Sequence, residues 1–335
     1  MRPISNPPNP WLSTHVEYLD EVPPAELHVY EERAHSALSE NDSPDIGFRF
    51  SVNPYRGCQH ACAYCYARPS HQYLGFGAGT DFERRIVVKT NIAELLALEL
   101  ARPSWKHETI VFSGNTDCYQ PLEASYALTR RCLEVCRARR TPVGIVTKST
   151  LVRRDSDVLA ALARGPGASV FVSIPFLDEE TGRLVEPGAP SPRRRFETLK
   201  LLSAAGIETG VAIAPLIPGL NESDIAGILG AARAAGATKA FLTLLRLPAE
   251  VLPVFRERLA SAFPERARKV ENALREMKQG AWNRSAFGER MRGSGPRWDA
   301  LERLFEIQCR RLGLNRQRVG AHTRPASVQG ELFAP

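Results

Sequence analysis

The stretch NPYRGCQHACAYCYARP, residues 53–69, carries three cysteines, Cys58, Cys62 and Cys65, in a C-x3-C-x2-C spacing. It follows directly on residues 48–53, the first apolar run that we predict as a strand. Iron-sulfur clusters are held by cysteine thiolates, and a cubane ordinarily takes four of them. Three thiolates leave one iron without a protein ligand, and an open coordination position lets a metal centre bind a substrate or cofactor. The spacing therefore predicts a 4Fe-4S cluster that binds a further ligand.

A zinc site is an alternative interpretation of the triplet. Structural zinc takes four ligands, so His60 or His71 would have to complete the set. His60 lies between two of the cysteines, and the sequence has no second C-x2-C pair to complete a zinc finger. Three unrelated core cysteines are a further alternative. The spacing favours the cluster over both.

The composition is that of a globular protein with a sizeable core. Of 335 residues, 43% are hydrophobic and 24% are charged, which suits one large domain or two modest ones. No run approaches the roughly 18 apolar residues of a membrane span, and residues 1–11 are rich in Pro and Asn. Seven cysteines, an odd number, do not fit a secreted disulfide framework. We therefore expect a soluble cytoplasmic protein with reduced thiols and no membrane contact.

The formal net charge of +7 is unevenly distributed. Residues 1–50 hold 3 basic and 9 acidic side chains, whereas residues 251–335 hold 17 basic and 9 acidic ones. A positive carboxyl-terminal region could bind a polyanion such as nucleic acid. A solvated, Arg-rich helical surface explains the same charge equally well.

From residue 48 onward, short apolar runs alternate with amphipathic ones, as in repeated βα units around a parallel sheet. Six repeats predict an α/β fold, either a barrel or a partial barrel, with the active site at the carboxyl ends of its strands. An open doubly wound sheet would give a similar pattern. The predicted strands are residues 48–53, 109–113, 143–147, 169–174, 208–214 and 240–245, and the helices between them are residues 91–101, 125–139, 155–164, 192–205 and 221–235.

The segments on either side of this core differ from it. Residues 1–47 contain several prolines and the polar run SENDSPD without sustained periodicity, so we predict an N-terminal extension that wraps the core. The core barrel is predicted over residues 48–247 and a C-terminal helical region over residues 248–335. Within that last region we predict helices at residues 249–263, 265–279 and 298–312, and a loop at residues 280–298.

Two further features carry a family resemblance. Tyr64 stands directly before the third cysteine, and the run SENDSPDIGF, residues 39–48, precedes NPYRGC. The chain resembles the radical S-adenosylmethionine (SAM) superfamily, and within it the spore photoproduct lyase-related group of DNA repair photolyase-like proteins. The resemblance covers most of residues 48–247. It implies a partial (β/α)6 TIM-like barrel with a 4Fe-4S cluster on Cys58, Cys62 and Cys65 and SAM on the open iron.

The resemblance also implies a chemistry. In this superfamily the reduced cluster cleaves SAM to a 5′-deoxyadenosyl radical, which abstracts hydrogen from the substrate. An external one-electron reductant such as flavodoxin or ferredoxin would supply the electron. The photolyase-like group and the basic carboxyl-terminal region favour DNA or RNA as the substrate, and a peptide or small molecule is the alternative. A zinc-bearing nucleic-acid-binding protein without catalysis would leave the six βα repeats unexplained.

The same resemblance places contacts to SAM at the ends of the later strands. Ser113, Gly114 and Asn115 would receive its amino group, although these residue types also suit a plain βα turn. Lys148 would pair with its carboxylate, for which a solvated loop charge is the alternative. The remaining predicted contacts are Tyr64 beside the cluster, Ser173 at the ribose or carboxylate, and Ala214, with Ile213 and Leu216, near the adenine.

One departure from spore photoproduct lyase concerns its hydrogen donor. That family uses an additional cysteine near the end of the second strand, where this chain has Gly114. Cys118 lies four residues further on, so it is either a relocated hydrogen donor or a buried free thiol. Asp117, Tyr119 and Glu123 share its loop and are predicted to line the same cavity for substrate binding or proton transfer, with helix capping as the alternative for Asp117 and Glu123. We expect Cys132, Cys136 and Cys309 to be core residues.

Overall fold

The computed structural model describes residues 9–11 and 26–316. Within these residues the chain alternates strands and helices from β3 onward. The strands are β1 (His28–Glu32), β2 (Leu38–Glu40), β3 (Phe50–Val52), β4 (Tyr55–Arg56), β5 (Arg85–Lys89), β6 (Ile110–Phe112), β7 (Val143–Thr147), β8 (Ala168–Ser173), β9 (Glu208–Leu216) and β10 (Lys239–Leu244). The helices are α1 (Thr80–Arg84), α2 (Ile92–Glu99), α3 (Glu123–Tyr126), α4 (Leu128–Ala138), α5 (Ser156–Ala163), α6 (Glu179–Val185), α7 (Pro192–Ala204), α8 (Ile225–Ala234), α9 (Val251–Ala262), α10 (Pro264–Met277) and α11 (Pro296–Leu312), with 3-10 helices at Arg68–Leu74, Thr150–Asp155 and Glu222–Asp224.

The main sheet has seven strands in the order β10-β9-β8-β7-β6-β3-β2. All of its pairs are parallel except β2 with β3. From β3 to β10 the spatial order follows the chain order, whereas a doubly wound sheet reverses its order at a switch point. The partial barrel is therefore confirmed, and the doubly wound alternative is wrong.

Packing between neighbouring strands explains the residues that they carry. Every residue of β8 is buried, so its sequence ASVFVS reads as a continuous apolar run rather than an alternating one. Gly210 on β9 leaves room for the Phe171 ring of β8, because a Cβ at Gly210 would lie 2.3 Å from Phe171 Cε1. Position 210 on β9 therefore requires a glycine, because the Phe171 ring of β8 occupies the space that a side chain would need.

Several elements differ from the sequence-based expectation. A second sheet, in the order β1-β5-β4, was not predicted, and β2 from the segment before residue 48 joins the main sheet. The residues of β1 are mostly exposed and β4 has two residues, so neither carries a hydrophobic pattern. The helix predicted at residues 125–139 is two helices, α3 and α4, because Ala127 between them has φ 51°.

The carboxyl-terminal helices cover one edge of the sheet. The three predicted helices are present as α9, α10 and α11, joined by a loop from residue 280 to residue 295. Asn315, just after α11, donates to and accepts from the backbone of Ala240 on β10, at 2.8 Å in both bonds. The Asn315 side chain thus satisfies the N–H and the carbonyl of Ala240 on the edge strand β10, which would otherwise be open to pairing with another strand. In the part of the chain described, no helix is long and apolar enough to cross a membrane.

Candidate active site

A cavity of about 500 Å³ lies at the carboxyl ends of the parallel strands. Its lining includes the cysteine triplet and residues that follow β6, β7, β8, β9 and β10. The predicted site residues on the lining are Cys58, Cys62, Tyr64, Cys65, Ser113, Gly114, Asn115, Asp117, Lys148, Ser173 and Ala214, whereas Ile213, Leu216, Cys118, Tyr119 and Glu123 are not on it. The sheet therefore brings together residues that lie far apart in sequence.

The three thiols are unpaired and are shielded from solvent. Cys58 and Cys62 are buried and Cys65 is half-buried, and none forms a disulfide. Burial raises the pKa of all three thiols, that of Cys62 to about 12, and the positive charges of Lys148 at Cys62 and of Arg68 at Cys65 partly offset it. A metal centre binds cysteines as thiolates. Binding a metal centre here would therefore release the protons of the three thiols, and the positive metal would stabilise the buried negative charges. Three thiols on one cavity, with no fourth cysteine on its lining, fit a cluster with one open iron.

Backbone contacts hold the cysteine loop in place. The Cys58 N–H donates to the Phe82 carbonyl at 2.9 Å, and the Cys65 N–H donates to the Cys62 carbonyl at 3.2 Å. Gly57 has φ 78°, and a Cβ there would lie 2.9 Å from the same Phe82 carbonyl oxygen. The glycine before the first cysteine is thus required both by its backbone angle and by this close approach.

Arg68 fixes the other end of the loop, and sequence reasoning missed it. Its guanidinium is fully buried, pairs with Glu83 at 2.6 Å and donates to the Cys62 carbonyl at 2.8 and 3.1 Å. It also donates to the carbonyls of Ala78 and Gly79 at 3.0 and 2.9 Å. Its position three residues after the third cysteine was the only signal in the sequence.

Lys148 belongs to a buried charged network. Its Nζ lies 3.9 Å from Glu186 Oε1 and 5.5 Å from the centre of the Tyr64 ring. Glu186 also accepts hydrogen bonds from the Tyr64 hydroxyl and the Arg195 guanidinium. Burial lowers the pKa of Lys148, but Cys62 and Glu186 outweigh it and the net shift is upward. Lys148 is therefore a buried ammonium rather than a solvated loop charge.

Glu186 and Arg195 were not predicted, because no local motif marks them. The two side chains are 1% and 2% exposed. Burial raises the pKa of Glu186, but Arg195 and Lys148 outweigh it and the net shift is downward. Arg195 also donates to the Ser173 carbonyl at 2.9 Å. The network thus connects two predicted SAM contacts, Lys148 and Ser173, through Glu186, directly after α6, and Arg195 on α7.

The turn after β6 is held by side chains from the β3 side. Asn53 Oδ1 accepts from the Asn115 N–H at 2.8 Å, and the Tyr66 hydroxyl donates to the Gly114 carbonyl at 2.8 Å. The Ser113 hydroxyl accepts from the Cys118 N–H at 3.0 Å. These bonds are those of a well-ordered βα turn, and the turn also faces the cavity. The turn is therefore well ordered, and its contact with the amino group of SAM stays a prediction.

Asp117 lines the cavity but is held by neighbouring donors. It accepts from the Thr147 hydroxyl at 2.7 Å and from the Lys148 N–H at 2.8 Å. His60 Nδ1 lies 3.2 Å from Asp117 Oδ2, although the angle is not that of a hydrogen bond. Burial would raise the pKa of Asp117, but His60 and these donors lower it to about 2. The ionised Asp117 side chain, in the turn after β6, thus connects that turn by hydrogen bonds to the end of β7 and the residue that follows it.

The prediction that Cys118, Tyr119 and Glu123 line the cavity is wrong. Cys118 is fully buried in the hydrophobic core. Tyr119 donates its hydroxyl to Asp155 at 3.0 Å. Glu123 accepts from the Thr129 N–H at 3.0 Å and from Arg154 at 2.6 Å, so it caps α4, as the capping alternative predicted. The apolar packing of this loop turns it inward, away from the cavity.

The zinc alternative finds no support in the geometry. In the described ranges, no three His, Cys, Asp or Glu side chains are arranged to hold a single metal ion. His71 does not line the cavity, and its Nε2 lies 2.8 Å from the Arg85 carbonyl oxygen. As expected, Cys132, Cys136 and Cys309 are buried core residues.

A second wall of the cavity was not predicted. We define the outer wall as residues 41–48, Arg246 and residues 287–291; it contributes Asn41, Asp42, Ser43, Ile46, Gly47, Phe48, Arg246, Phe287, Arg290 and Met291 to the lining. Arg290 pairs with Asp45 and also donates to the Ser43 hydroxyl. The Gly288 N–H donates to Asp45 Oδ1 at 2.6 Å. A polar run near the start of the chain thus meets the loop between α10 and α11.

Two anchors attach that loop to the rest of the molecule. The Leu244 N–H at the end of β10 donates to the Met291 carbonyl at 3.0 Å. The fully buried Lys278 donates to the carbonyls of Glu289, Arg290 and Arg292 at 3.4, 3.1 and 2.8 Å. The loop is therefore positioned through its backbone, leaving its side chains at Phe287 and Arg290 to face the cavity.

Comparison with known proteins agrees with this site. The model of the radical SAM superfamily matches residues 52–232, more than half of the chain. The chain therefore belongs to the radical SAM superfamily, whose members are enzymes that use a 4Fe-4S cluster and SAM. The predicted family and cofactors are confirmed.

Similar proteins include the Mycobacterium tuberculosis protein Rv2578c, 44% identical over 222 residues, which are 66% of this chain and 65% of that protein. The chain thus spans slightly less than two thirds of the length of this relative. The radical SAM Nalpha-GlyT isomerase of Pseudomonas phage M6 is 23% identical over 256 residues, covering 75% of this chain and 51% of the isomerase.

Among solved structures, spore photoproduct lyase complexed with dinucleoside spore photoproduct matches with a TM-score of 0.62. Its sequence identity is 16%, and the match covers 85% of this chain and 80% of that one. At this identity the likeness shows a shared fold.

Proposed function

We propose that this chain binds a 4Fe-4S cluster through Cys58, Cys62 and Cys65 and cleaves SAM reductively to start radical chemistry on a nucleic acid. The observation that carries the proposal is the common cavity of about 500 Å³, which is lined by the three thiols and by the predicted SAM contacts. The cluster, when bound and reduced, supplies the electron that breaks a sulfur-carbon bond of SAM and yields a 5′-deoxyadenosyl radical.

The chain's own residues would bind and orient SAM. Lys148 is held inward as an ammonium by Glu186, so it can pair with the SAM carboxylate. Ser173 and Ala214 lie together on β8 and β9, since the Ser173 hydroxyl donates to the Ala214 carbonyl at 3.2 Å. The exposed backbone of the turn at Gly114 faces the same cavity and suits an ammonium group. These groups would fix the position of SAM and exclude water from it.

The electron would come from outside the chain. In the described residues no second set of cysteines is arranged for a metal centre, because Cys132, Cys136 and Cys309 are packed in the core. We therefore infer an external one-electron donor such as flavodoxin or ferredoxin.

Three features favour nucleic acid over a peptide or small molecule as the substrate. Residues 251–335 carry 17 basic and 9 acidic side chains. The outer wall combines arginines with an exposed aromatic ring at Phe287, and stacking on aromatic rings beside basic groups is how proteins bind single strands. The fold is that of a lyase whose structure contains a dinucleoside spore photoproduct.

The test is anaerobic reconstitution with iron and sulfide, followed by iron analysis and measurement of 5′-deoxyadenosine from SAM after dithionite reduction. We expect about four irons per chain and deoxyadenosine release. Cys62→Ala should lose both, whereas Cys309→Ala, a core cysteine away from the cavity, should keep both. Zinc without iron, or full iron and activity in Cys62→Ala, would refute the proposal. Retention on DNA or RNA that does not fall with salt would argue against the nucleic-acid substrate.

A further inference from the structure

The charged side chains on the cavity lining are satisfied with one exception. Asp117 accepts from Thr147, Lys148 is held by Glu186, and Arg290 pairs with Asp45. Asp42 is exposed to solvent. Arg246 has no hydrogen bond or ion pair to any residue in the described part of the chain, and its buried Nε is without a partner. Arg246 is half-buried, so its guanidinium presents unpaired donors to a ligand that enters the cavity.

Asp45, the carboxylate that acts on Arg246, already accepts hydrogen bonds from other residues. Asp45 is 8% exposed and accepts from both Arg290 and the Gly288 N–H. Burial lowers the pKa of Arg246, the neighbouring Arg290 lowers it further, and Tyr66 and Asp45 partly offset this. Because Asp45 is held by Arg290 and Gly288, Arg246 has no ion-pair partner of its own among the described residues.

Arg246 lies at the carboxyl end of the sheet, where it lines the same cavity as the cysteine loop. It follows β10 and belongs to the outer wall, and Tyr66, directly after Cys65, lines the cavity as well. Three aromatic rings also line the cavity, those of Phe48, Tyr66 and Phe287, and the last two residues are 50% and 58% exposed. Guanidinium groups bind phosphate by paired, charge-assisted hydrogen bonds, and rings beside them stack on bases.

From these contacts we propose that Arg246 is a phosphate-binding residue of the outer wall and receives a backbone phosphate of the nucleic-acid substrate. The inference rests on the proposed function, because it assumes that the cysteine end of the same cavity holds the cluster and SAM. Arg290, neutralised by Asp45, then shapes the subsite without supplying its net charge. One arginine without an ion-pair partner, on a wall that also carries Asp42, Asp45 and Glu289, predicts one specific phosphate contact rather than a diffuse basic surface.

The experiment uses the full chain with its cluster reconstituted and SAM present. Binding of a labelled mixed-sequence DNA decamer, and of the RNA decamer of the same sequence, is measured by fluorescence anisotropy at several salt concentrations. Arg246→Gln should weaken the affinity about 10- to 100-fold, as expected for a lost hydrogen bond to a charged group. The slope of log affinity against log salt should become shallower by about 0.7, the value for one phosphate on a single strand. Inorganic phosphate should compete, and acetate at equal ionic strength should not.

The controls separate this inference from the proposed function. Arg303→Gln, which removes an exposed arginine of α11 that does not line the cavity, should bind like the wild type. Wild-type affinity and salt slope in Arg246→Gln would overturn the inference even if the wild type releases deoxyadenosine. So would failure of the wild type to bind either decamer, competition by acetate instead of phosphate, or an equal loss of SAM affinity in Arg246→Gln. Absence of deoxyadenosine from the wild type would instead refute the proposed function.

Discussion

The two walls of the cavity are held by different kinds of interaction. We define the cluster wall as residues 57–74, which contain the cysteine triplet and the 3-10 helix that follows it. The cluster wall is fixed by the buried Arg68, whose ion pair with Glu83 and bonds to backbone carbonyls all lie away from solvent. The outer wall is held by the pair of Arg290 with Asp45, which are 14% and 8% exposed against 0% and 4% for Arg68 and Glu83, and by bonds to the backbone of the loop at residues 280–295.

The difference in support between the two walls fits their proposed roles, which are to hold the cluster and SAM on the cluster wall and to bind the substrate on the outer wall. A cluster and SAM require ligands at fixed distances, so rigid second-sphere support is needed on the cluster wall. A substrate has to enter and leave, and loops anchored at a few points allow this. The contrast predicts that substitutions behind the cluster wall cost more than those in the outer wall.

The largest effect is expected for Arg68→Met. The substitution leaves the Glu83 carboxylate buried without its partner and removes the bonds to the Cys62 carbonyl, so we expect a loss of about 3–5 kcal/mol in the free energy of unfolding. Denaturant unfolding of the reconstituted protein measures it. The double variant with Glu83→Gln should recover part of the loss, because the unpaired charge is then gone. A loss below about 1 kcal/mol for Arg68→Met alone would contradict the contrast.

The second effect is a pH dependence that comes from His71. Burial lowers its pKa from 6.5 to about 4, so the folded state binds fewer protons than the unfolded state between these values. The stability is present above pH 6.5 and falls as the pH drops from 6.5 to 4, by about 3 kcal/mol in total. The free energy of unfolding, measured by denaturant unfolding from pH 4 to 6.5, should depend less on pH in His71→Gln than in the wild type. His35→Gln, at an exposed position, should keep the wild-type slope.

A smaller effect is expected at the charged network of Lys148. Glu186→Gln removes the carboxylate that holds the ammonium, so the Kd for SAM should rise about 10-fold, corresponding to about 1.4 kcal/mol, while the iron content stays near four per chain. Equilibrium binding of SAM to the reconstituted protein measures it. Glu179→Gln, at the exposed start of α6, is the matched control. Unchanged SAM affinity in Glu186→Gln would argue against Lys148 as a cofactor contact.

The smallest effect is expected in the outer wall. Asp45→Asn removes the charge of the carboxylate but keeps an oxygen that can accept from Arg290 and from the Gly288 N–H, so we expect a loss of about 1 kcal/mol in the free energy of unfolding. Hydrogen exchange of the loop at residues 280–295 should nevertheless become faster, since the loop loses its contact to the N-terminal segment. Asp42→Asn, an exposed neighbour, should change neither quantity. A loss as large as that of Arg68→Met would mean that the two walls are equally essential to the fold.

Local patterns predicted the central features of this protein. The positions of β3 and of β6 to β10 followed from apolar runs, and the triplet at Cys58, Cys62 and Cys65 followed from its spacing. The strand order then placed Lys148, Ser173 and Ala214 on one cavity without any local signal connecting them. The inward orientation of Cys118 and Tyr119 could not be predicted, because it depends on which side of the loop the core occupies.

The sequence by itself determined the βα alternation and the three-thiol site, because hydrophobic periodicity and ligand spacing are properties of neighbouring residues. Only the tertiary structure decided that Glu186 holds Lys148, that Arg68 fixes the cysteine loop, and that Asp45 reaches Arg290 across 245 positions. Such pairs depend on how separate segments are brought together in space. Burial then makes them strong, since an ion pair shielded from water loses more when one partner is removed than the same pair at the surface.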